Sequence, residues 1–353
     1  MIQNVLIVQL KMVGDVLASS LICDNLKRIN PKYQIHFVAY EFTSQVISNN
    51  PNIDKIWIYR DEYRNNPFKI LQFVQQLRQY RFHYIIDSYG KLESYIITSL
   101  SRGDIKIGYH KSYNRIFYDK RIKRLDKRFE ETRPTSINNR LSLIKSFASG
   151  DFEWKLKPQI YLAKSQKEKA KLKAVELKSK GHVLMMLNIT GSSMNKTYPL
   201  KYMLILVDDL LLEFKINLVL NYSPNLKSIV QNKIEESSAR LRSSIVRDIH
   251  SKSLSDYIET ASICDVVIGN EGGGINIAKA LSVPTFAIFS PQVDPRDWAH
   301  RDDLNDYVHL CEYRPKIVEG VSKEKRSGLY YLLEPKYIKS PLLTFLKRTL
   351  ELN

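Results

Sequence analysis

The chain opens on an apolar run, Val5-Leu6-Ile7-Val8, followed by a stretch whose apolar residues recur every three to four positions, and this alternation repeats along nearly the whole sequence. Short β-branched runs read as strands and 3.6-period stretches as amphipathic helices. In the first half, strands are predicted at Val5–Leu10, Ile35–Ala39, Lys55–Ile58, Tyr84–Asp87 and Ile105–Ile107, with helices near Val16–Ile29, Phe68–Gln79 and Glu93–Leu100. The pattern restarts after a basic, proline-containing region at Trp154–Pro158. A charged helix over Lys164–Lys180 leads into strands Val183–Asn188, Asn217–Asn221, Ser244–Val246, Val266–Gly269 and Thr285–Phe289. Helices near Leu200–Glu213, Leu226–Glu236, Ser253–Ala261 and Ile275–Leu281 lie between them. Such β-α alternation implies parallel sheets covered on both faces, hence an α/β chain of two doubly wound lobes. The expected division is a first domain over 1–163, a second over 164–335, and a C-terminal helix in 336–353, carried by Leu342–Leu352, that packs back on a lobe.

Ligands in such sheets collect at the carboxyl ends of strands, so the loops that follow strands are where chemistry is expected. The first is Gln9-Leu10-Lys11-Met12-Val13-Gly14-Asp15-Val16. Gly14 suits a tight or left-handed turn and Asp15 the helix N-cap; Asp15 is either a capping residue or a carboxylate that takes a proton from an attacking hydroxyl. The second runs from Asn188 to Pro199, where Thr190, Gly191, Ser192 and Ser193 open backbone N–H groups and hydroxyls to phosphate oxygens and Lys196 adds a charge. It lacks the spacing of a P-loop. The third is Gly269-Asn270-Glu271-Gly272-Gly273-Gly274-Ile275-Asn276, three consecutive glycines before a helix whose N-terminus offers free N–H donors to a diphosphate, with Glu271 placed to accept from sugar hydroxyls or simply to favour the helix start.

Composition narrows the setting. The net charge of +17 asks for an anionic partner: nucleic acid, an acidic membrane surface or a phosphorylated substrate. Lys and Arg concentrate in 106–128, interleaved with Tyr109, Tyr113, Phe117 and Tyr118, a stretch that is either a solvated face or a surface for that partner. Cys23, Cys264 and Cys311 are far apart without a CxxC pair, which speaks against a disulfide framework or a zinc site and suits a reducing cytosol. The first residues read as a strand instead of a signal peptide, and nowhere do about 18 apolar residues run uninterrupted. His36, His83 and His182 fall in or near strands and read as structural.

The three loops, in this order, resemble glycosyltransferase family 9, the ADP-heptose:lipopolysaccharide heptosyltransferase family. The likeness rests on VLIVQLKMVGDVLASS, TGSSMNKTYP and EGGGINIAKALSVPTFAIFSPQVDP and covers most of the chain. It implies the GT-B architecture, two Rossmann-like lobes facing across a cleft, with acceptor bound by the first and nucleotide sugar by the second. It further implies Asp15 as catalytic base and Lys196 on the donor phosphates. Gly14, Thr190, Gly191, Ser192, Ser193, Glu271, Gly272, Gly273, Gly274 and Asn276 then belong to donor binding. The sequence departs from the family pattern where Glu271 stands for Asp, Asn276 for His and Ser290 for Gly. The segment Asn221–Leu226 carries no acidic residue where the family commonly has one near the nucleoside.

The resemblance implies inverting transfer from a nucleotide diphosphate sugar, ADP-heptose being the family donor, to a lipopolysaccharide-core or other glycan acceptor, with no cofactor and no metal. Asp208-Asp209 falls in a helical pattern and Asp302-Asp303 follows no strand, so neither reads as a metal pair. Lys11, Lys106, Lys111, Arg115, Lys120 and Arg121 are then candidates for an anionic glycolipid acceptor or for the acidic inner face of the cytoplasmic membrane. Two other readings stand beside this one. The first is a GT-B transferase for a different nucleotide sugar in capsule or glycoprotein synthesis, and the second a non-catalytic protein that binds nucleotide sugars or an anionic polymer. No recognised nucleic-acid module accompanies the charge.

Overall fold

The computed structural model describes residues 3–64, 66–125, 133–191, 193–250 and 253–350. Its contacts divide it into two compact units, Met1–Tyr161 and Leu162–Asn353. The division falls a few residues past the proline-containing stretch and two before the expected boundary.

The first unit is a six-stranded parallel sheet of β1 (Gln3–Val8), β2 (Tyr33–Tyr40), β3 (Lys55–Tyr59), β4 (Phe82–Asp87), β5 (Gly103–Tyr109) and β6 (Lys120–Ile122), in the order β3-β2-β1-β4-β5-β6. Its helices are α1 (Val13–Ile29), α2 (Glu41–Ser44), α3 (Pro67–Leu77), α4 (Leu92–Leu100) and α5 (Thr135–Ser142). β1 lies between β2 and β4, and Val5, Leu6, Ile7 and Val8 are fully buried, which is why this strand is apolar without alternation. Each such side chain contributes about 1.5–3 kcal/mol by leaving water.

The second unit repeats the plan with β7 (Val183–Asn188), β8 (Ile216–Tyr222), β9 (Ile245–His250), β10 (Val266–Asn270), β11 (Thr285–Ile288) and β12 (Asn305–Val308), ordered β12-β11-β10-β7-β8-β9. Among the described residues eight helices accompany them: α6 (Lys164–Leu177), α7 (Leu200–Glu213), α8 (Lys227–Glu235), α9 (Ala239–Ser244), α10 (Leu254–Ala261), α11 (Gly273–Ala280), α12 (Pro315–Glu319) and α13 (Pro335–Leu350). The last begins seven residues earlier than its apolar pattern suggested. It packs into the second unit's core through Ile338, Leu342, Phe345 and Leu346, with the Phe345 ring 5.6 Å from that of Phe286.

In each sheet the winding direction reverses once, between β1 and β4 and between β7 and β10. A crevice opens outside the carboxyl ends of the strands at such a switch point. The first and third of the expected loops follow β1 and β10, and the second follows β7.

Candidate active site

In the first unit, the turn after β1 is held by side chains instead of by a left-handed residue. The Gln9 amide donates to the Lys11 carbonyl at 2.7 Å, and the Thr43 hydroxyl and Tyr40 N–H both donate to the Leu10 carbonyl. The helix can therefore begin at Val13, which corrects two expectations. Gly14 is an ordinary helical residue, and Asp15 is the third residue of α1 while Met12 is the N-cap. From there the Asp15 carboxylate receives the Met12 N–H at 3.4 Å, next to the positive end of the helix.

Its stronger partner is Arg140 of α5, which donates to Asp15 Oδ1. The guanidinium is 7% exposed and the carboxylate 29%. Arg140 Nε also reaches the Ser19 hydroxyl at 3.4 Å and Nη1 the Ser136 carbonyl at 3.3 Å, so each of the three guanidinium nitrogens has a partner. Ser19 in turn contacts Gln9 and the Ser88 hydroxyl beyond β4, at 3.3 and 2.9 Å. Next to Ser88, the buried Asp87 carboxylate accepts from the Tyr118 hydroxyl at 2.6 Å and from the N–H groups of Tyr89 and Gly90 at 2.9 Å; burial pushes its pKa up against these bonds. Asp15 is thus the partly exposed end of a buried polar array that spans the switch point of the first sheet.

Among the cations expected to meet an acceptor, Lys11 lies in the Asp15 loop with its ammonium 5.4 Å from the Tyr40 ring centre. Lys106 sits in β5 and donates to the Ser99 carbonyl at 2.8 Å, its pKa lowered by burial. Lys111 is drawn to the Gly90 carbonyl at 2.7 Å. Arg115 and Lys120 are exposed and Arg121 half-exposed; positions 126–128 of the basic stretch lie outside the described residues.

In the second unit a cavity of about 180 Å³ lies at the switch point, lined by Asn188, Thr190, Gly191, Asn221, Asn270, Glu271 and Gly272–Gly274. Backbone requirements explain two of its glycines. Gly272 has φ +148°, and a Cβ on Gly274 would come within 2.6 Å of the Tyr257 hydroxyl and 2.8 Å of the Asn188 amide nitrogen. With both positions free of side chains, α11 starts at Gly273 and presents its first N–H groups to the cavity.

Glu271 is 8% exposed, and its Oε1 has no hydrogen-bond partner. Burial pushes its pKa up, against the pull of Lys196 and Lys279. Lys279, two turns into α11, donates weakly to the Trp298 carbonyl at 3.4 Å, and burial brings its pKa down to about 8 despite the charges of Asp302 and Glu271. Lys196 is half-buried in the turn Met194–Lys196, where its N–H donates to the Ser193 carbonyl at 3.0 Å; its ammonium makes no hydrogen bond or ion pair among the described residues. Ser193 on the same turn is exposed, Asn276 is half-exposed on the first turn of α11, and Ser192 lies outside the described residues. Lys196, Ser193 and Asn276 are not part of the cavity wall.

Three asparagines complete that wall, and the reading of the sequence did not single them out. Asn188, Asn221 and Asn270 stand at or next to the ends of the adjacent strands β7, β8 and β10. Asn221 donates to Asn188 at 2.8 Å; Asn270 donates to the Asn188 and Ile189 carbonyls at 3.2 and 2.6 Å and accepts the Tyr198 N–H at 2.6 Å. The recurrence of Asn at three strand ends was the available signal. Arg140 had none, since its partner is 125 residues away.

The family profile described as glycosyltransferase family 9 (heptosyltransferase) matches residues 70–319. The chain belongs to glycosyltransferase family 9. It is therefore a glycosyltransferase, and its two Rossmann-like units are the lobes of the GT-B architecture. A curated relative, lipopolysaccharide heptosyltransferase 1 of Campylobacter coli, is 23% identical over 316 residues, 86% of this chain and 89% of the relative. Among solved structures, a family 9 glycosyl transferase from Veillonella parvula superposes with a TM-score of 0.79 at 17% identity, covering 98% of this chain and 97% of that one. The ADP-heptose lipopolysaccharide heptosyltransferase II of E. coli superposes with a TM-score of 0.74 at 14% identity, covering 98% and 99%. Within this family 9 chain, no group of three His, Cys, Asp or Glu side chains placed to hold a metal occurs among the described residues. No described helix is long and apolar enough to cross a membrane.

Proposed function

We propose that this family 9 chain is an inverting, metal-independent transferase that moves heptose or a related sugar from a nucleotide diphosphate sugar to a lipopolysaccharide-core or other glycan acceptor. The observation that carries the reading is the second-unit cavity, where a helix N-terminus and a buried carboxylate oxygen without a partner lie side by side. The first suits phosphate and the second a sugar hydroxyl. ADP-heptose is the donor named for the E. coli relative. Asp15 takes the proton of the acceptor hydroxyl, whose oxygen attacks the anomeric carbon from the face opposite the diphosphate. The bond from that carbon to the phosphate oxygen breaks, and its electron pair leaves on the diphosphate. Lys196 and the N–H groups of Gly272–Gly274 stabilise the growing negative charge, the work a divalent cation performs elsewhere.

We place the reaction on the cytoplasmic side of the membrane, with Arg115, Lys120 and Arg121 facing an anionic glycolipid. Glu271 favours one variation: a carboxylate one methylene longer than the Asp of the family pattern suits a sugar other than heptose, as in capsule or glycoprotein synthesis. The test uses purified protein in EDTA with ADP-heptose and a panel of UDP- and GDP-sugars. Thermal stabilisation by one nucleotide family is expected, reduced at least ten-fold in apparent affinity by Lys196→Ala. Asp15→Asn should retain donor binding and lose transfer. Folded protein that responds to none of these nucleotides would point to the non-catalytic reading instead.

A further inference from the structure

The basic, aromatic stretch of the first unit carries an apolar tip, of which the sequence pattern singled out Tyr113 and Phe117 but not Leu92 or Ile116. The turn Arg115–Phe117 packs on α4 through Phe117, whose ring stacks on Tyr95 at 4.7 Å. That packing turns the neighbouring Ile116 outward, to 85% exposure. Tyr113, whose ring lies 6.5 Å from Tyr95, is 66% exposed, and Leu92, one turn before Tyr95 at the start of α4, is 71% exposed. Single exposed apolar residues are ordinary on any surface, but three large ones gathered around one anchoring ring are not.

Their surroundings are cationic. The Lys111 ammonium lies 5.7 Å from the Tyr113 ring centre, Lys91 and Arg115 are direct sequence neighbours of Leu92 and Ile116, and both are exposed. From position 106 to 125 there are seven Lys and Arg and a single acid, Asp119. A tip of Leu, Ile and Tyr ringed by cations is what an interfacial anchor requires: the apolar groups enter the boundary between headgroups and acyl chains, the tyrosine sits at headgroup level, and the cations meet anionic phosphates. A protein partner with this complement would need a matching acidic collar around an apolar socket, whereas an anionic bilayer supplies both without a fitted shape.

We propose that Leu92, Tyr113 and Ile116 form a wedge that inserts into the surface of an anionic lipid bilayer, with Lys91, Arg115 and Lys120 holding it there. This rests on the proposed glycolipid acceptor and adds to it a hydrophobic anchor distinct from both the Asp15 array and the donor cavity.

The test is co-sedimentation of the full chain with vesicles of phosphatidylcholine alone or mixed with phosphatidylglycerol, at low and high salt. Wild type should sediment with the mixed vesicles and keep part of its binding at high salt. The double variant Leu92→Ser/Ile116→Ser should lose at least ten-fold in partitioning and become fully salt-sensitive, since only the electrostatic part remains. The double variant Arg115→Gln/Lys120→Gln should lose the preference for phosphatidylglycerol. These side chains are exposed, so unchanged melting and unchanged donor binding serve as controls of folding. Vesicle binding by Leu92→Ser/Ile116→Ser equal to wild type would overturn the wedge. So would a wild type that ignores both vesicles yet transfers sugar to a water-soluble acceptor, a result that leaves the transferase reading standing. Absence of both binding and transfer would remove the two together.

Discussion

Replacing Arg140 tests whether Asp15 acts from a prepared position. Arg140→Ala deletes a guanidinium that touches Asp15, Ser19 and the Ser136 carbonyl. Removing one partner of a fully buried pair costs about 3–5 kcal/mol, and an exposed pair is worth less than about 1 kcal/mol. With 7% exposure on the arginine and 29% on the aspartate, this pair falls between, at about 2 kcal/mol of first-unit stability. The catalytic consequence is separate. A carboxylate that loses this charged partner swings about its side-chain torsions, and a displacement of roughly 1 Å at a reacting group costs about a hundred-fold. The assay is steady-state transfer with donor and acceptor varied in turn. We expect kcat of Arg140→Ala to fall about a hundred-fold with the donor KM unchanged, because the donor groups belong to the other unit. Arg140→Lys keeps a charge without the fork and should recover part of kcat. A folded Arg140→Ala protein with wild-type kcat would refute the idea that this ion pair sets the position of the base. A rise in donor KM at constant kcat would do the same.

Three further outcomes follow from buried polar groups. Because the native pKa of Glu271 is raised, its charged form burdens the fold once pH climbs through the carboxylate range, so Glu271→Gln should melt above wild type near pH 7 and alike below about pH 4, as differential scanning fluorimetry across pH would show. His36 is the opposite case. Its native pKa is lowered to about 4 by burial, so its contribution is complete above the ordinary value of 6.5 and drains away as pH falls toward 4; a histidine NMR titration should show the ring still neutral at pH 5.5 or so. Asn270→Ala leaves the Tyr198 N–H and the Ile189 carbonyl without their partner and should cost about 2–4 kcal/mol in chemical denaturation, with donor affinity falling as the loop after β7 loosens.

The doubly wound plan was legible because its central strands are buried on both faces and leave long apolar runs; β7 and α7 have the bounds that their patterns indicated. The pattern failed where pairing supplies what composition does not. β6 is Lys-Arg-Ile and β12 is Asn-Asp-Tyr-Val, short edge strands with little apolar content whose extended form comes from a neighbour, and α5 has no apolar stripe of the expected width. β9 extends past Val246 to His250, beyond a register shift at Leu218/Val219 that no local pattern encodes. The site divides in the same way. Asp15 and the glycine loop stand in strand-end loops as the β-α alternation indicates, and Lys196 stands out only through the family resemblance; Gly14 reads as a turn former because the Gln9 side chain, which holds the turn instead, carries no signature. Arg140 reaches its partner only through the packing of α5 on α1.

The donor cavity separates groups that satisfy one another from groups that do not. Asn188, Asn221 and Asn270 spend their amides on the Tyr257 hydroxyl, on neighbouring backbone and on one another, which holds the loops rigid, while Glu271, a residue of the same cavity wall, keeps a buried Oε1 without a partner beside the first N–H groups of α11. Buried polar atoms are rarely left unpaired in a fold unless something else completes them. If the missing donor is a sugar hydroxyl, a nucleotide diphosphate alone should satisfy the helix but not the glutamate. The intact nucleotide sugar should then stabilise the protein more than its free diphosphate at equal concentration, by an increment of about 1.5–3 kcal/mol of binding energy, the worth of a hydrogen bond to a charged group. In Glu271→Ala the two ligands should give the same shift, and the diphosphate shift itself should be preserved. An increment that survives the loss of the glutamate would mean that the sugar is held elsewhere, and that the open oxygen serves some other ligand.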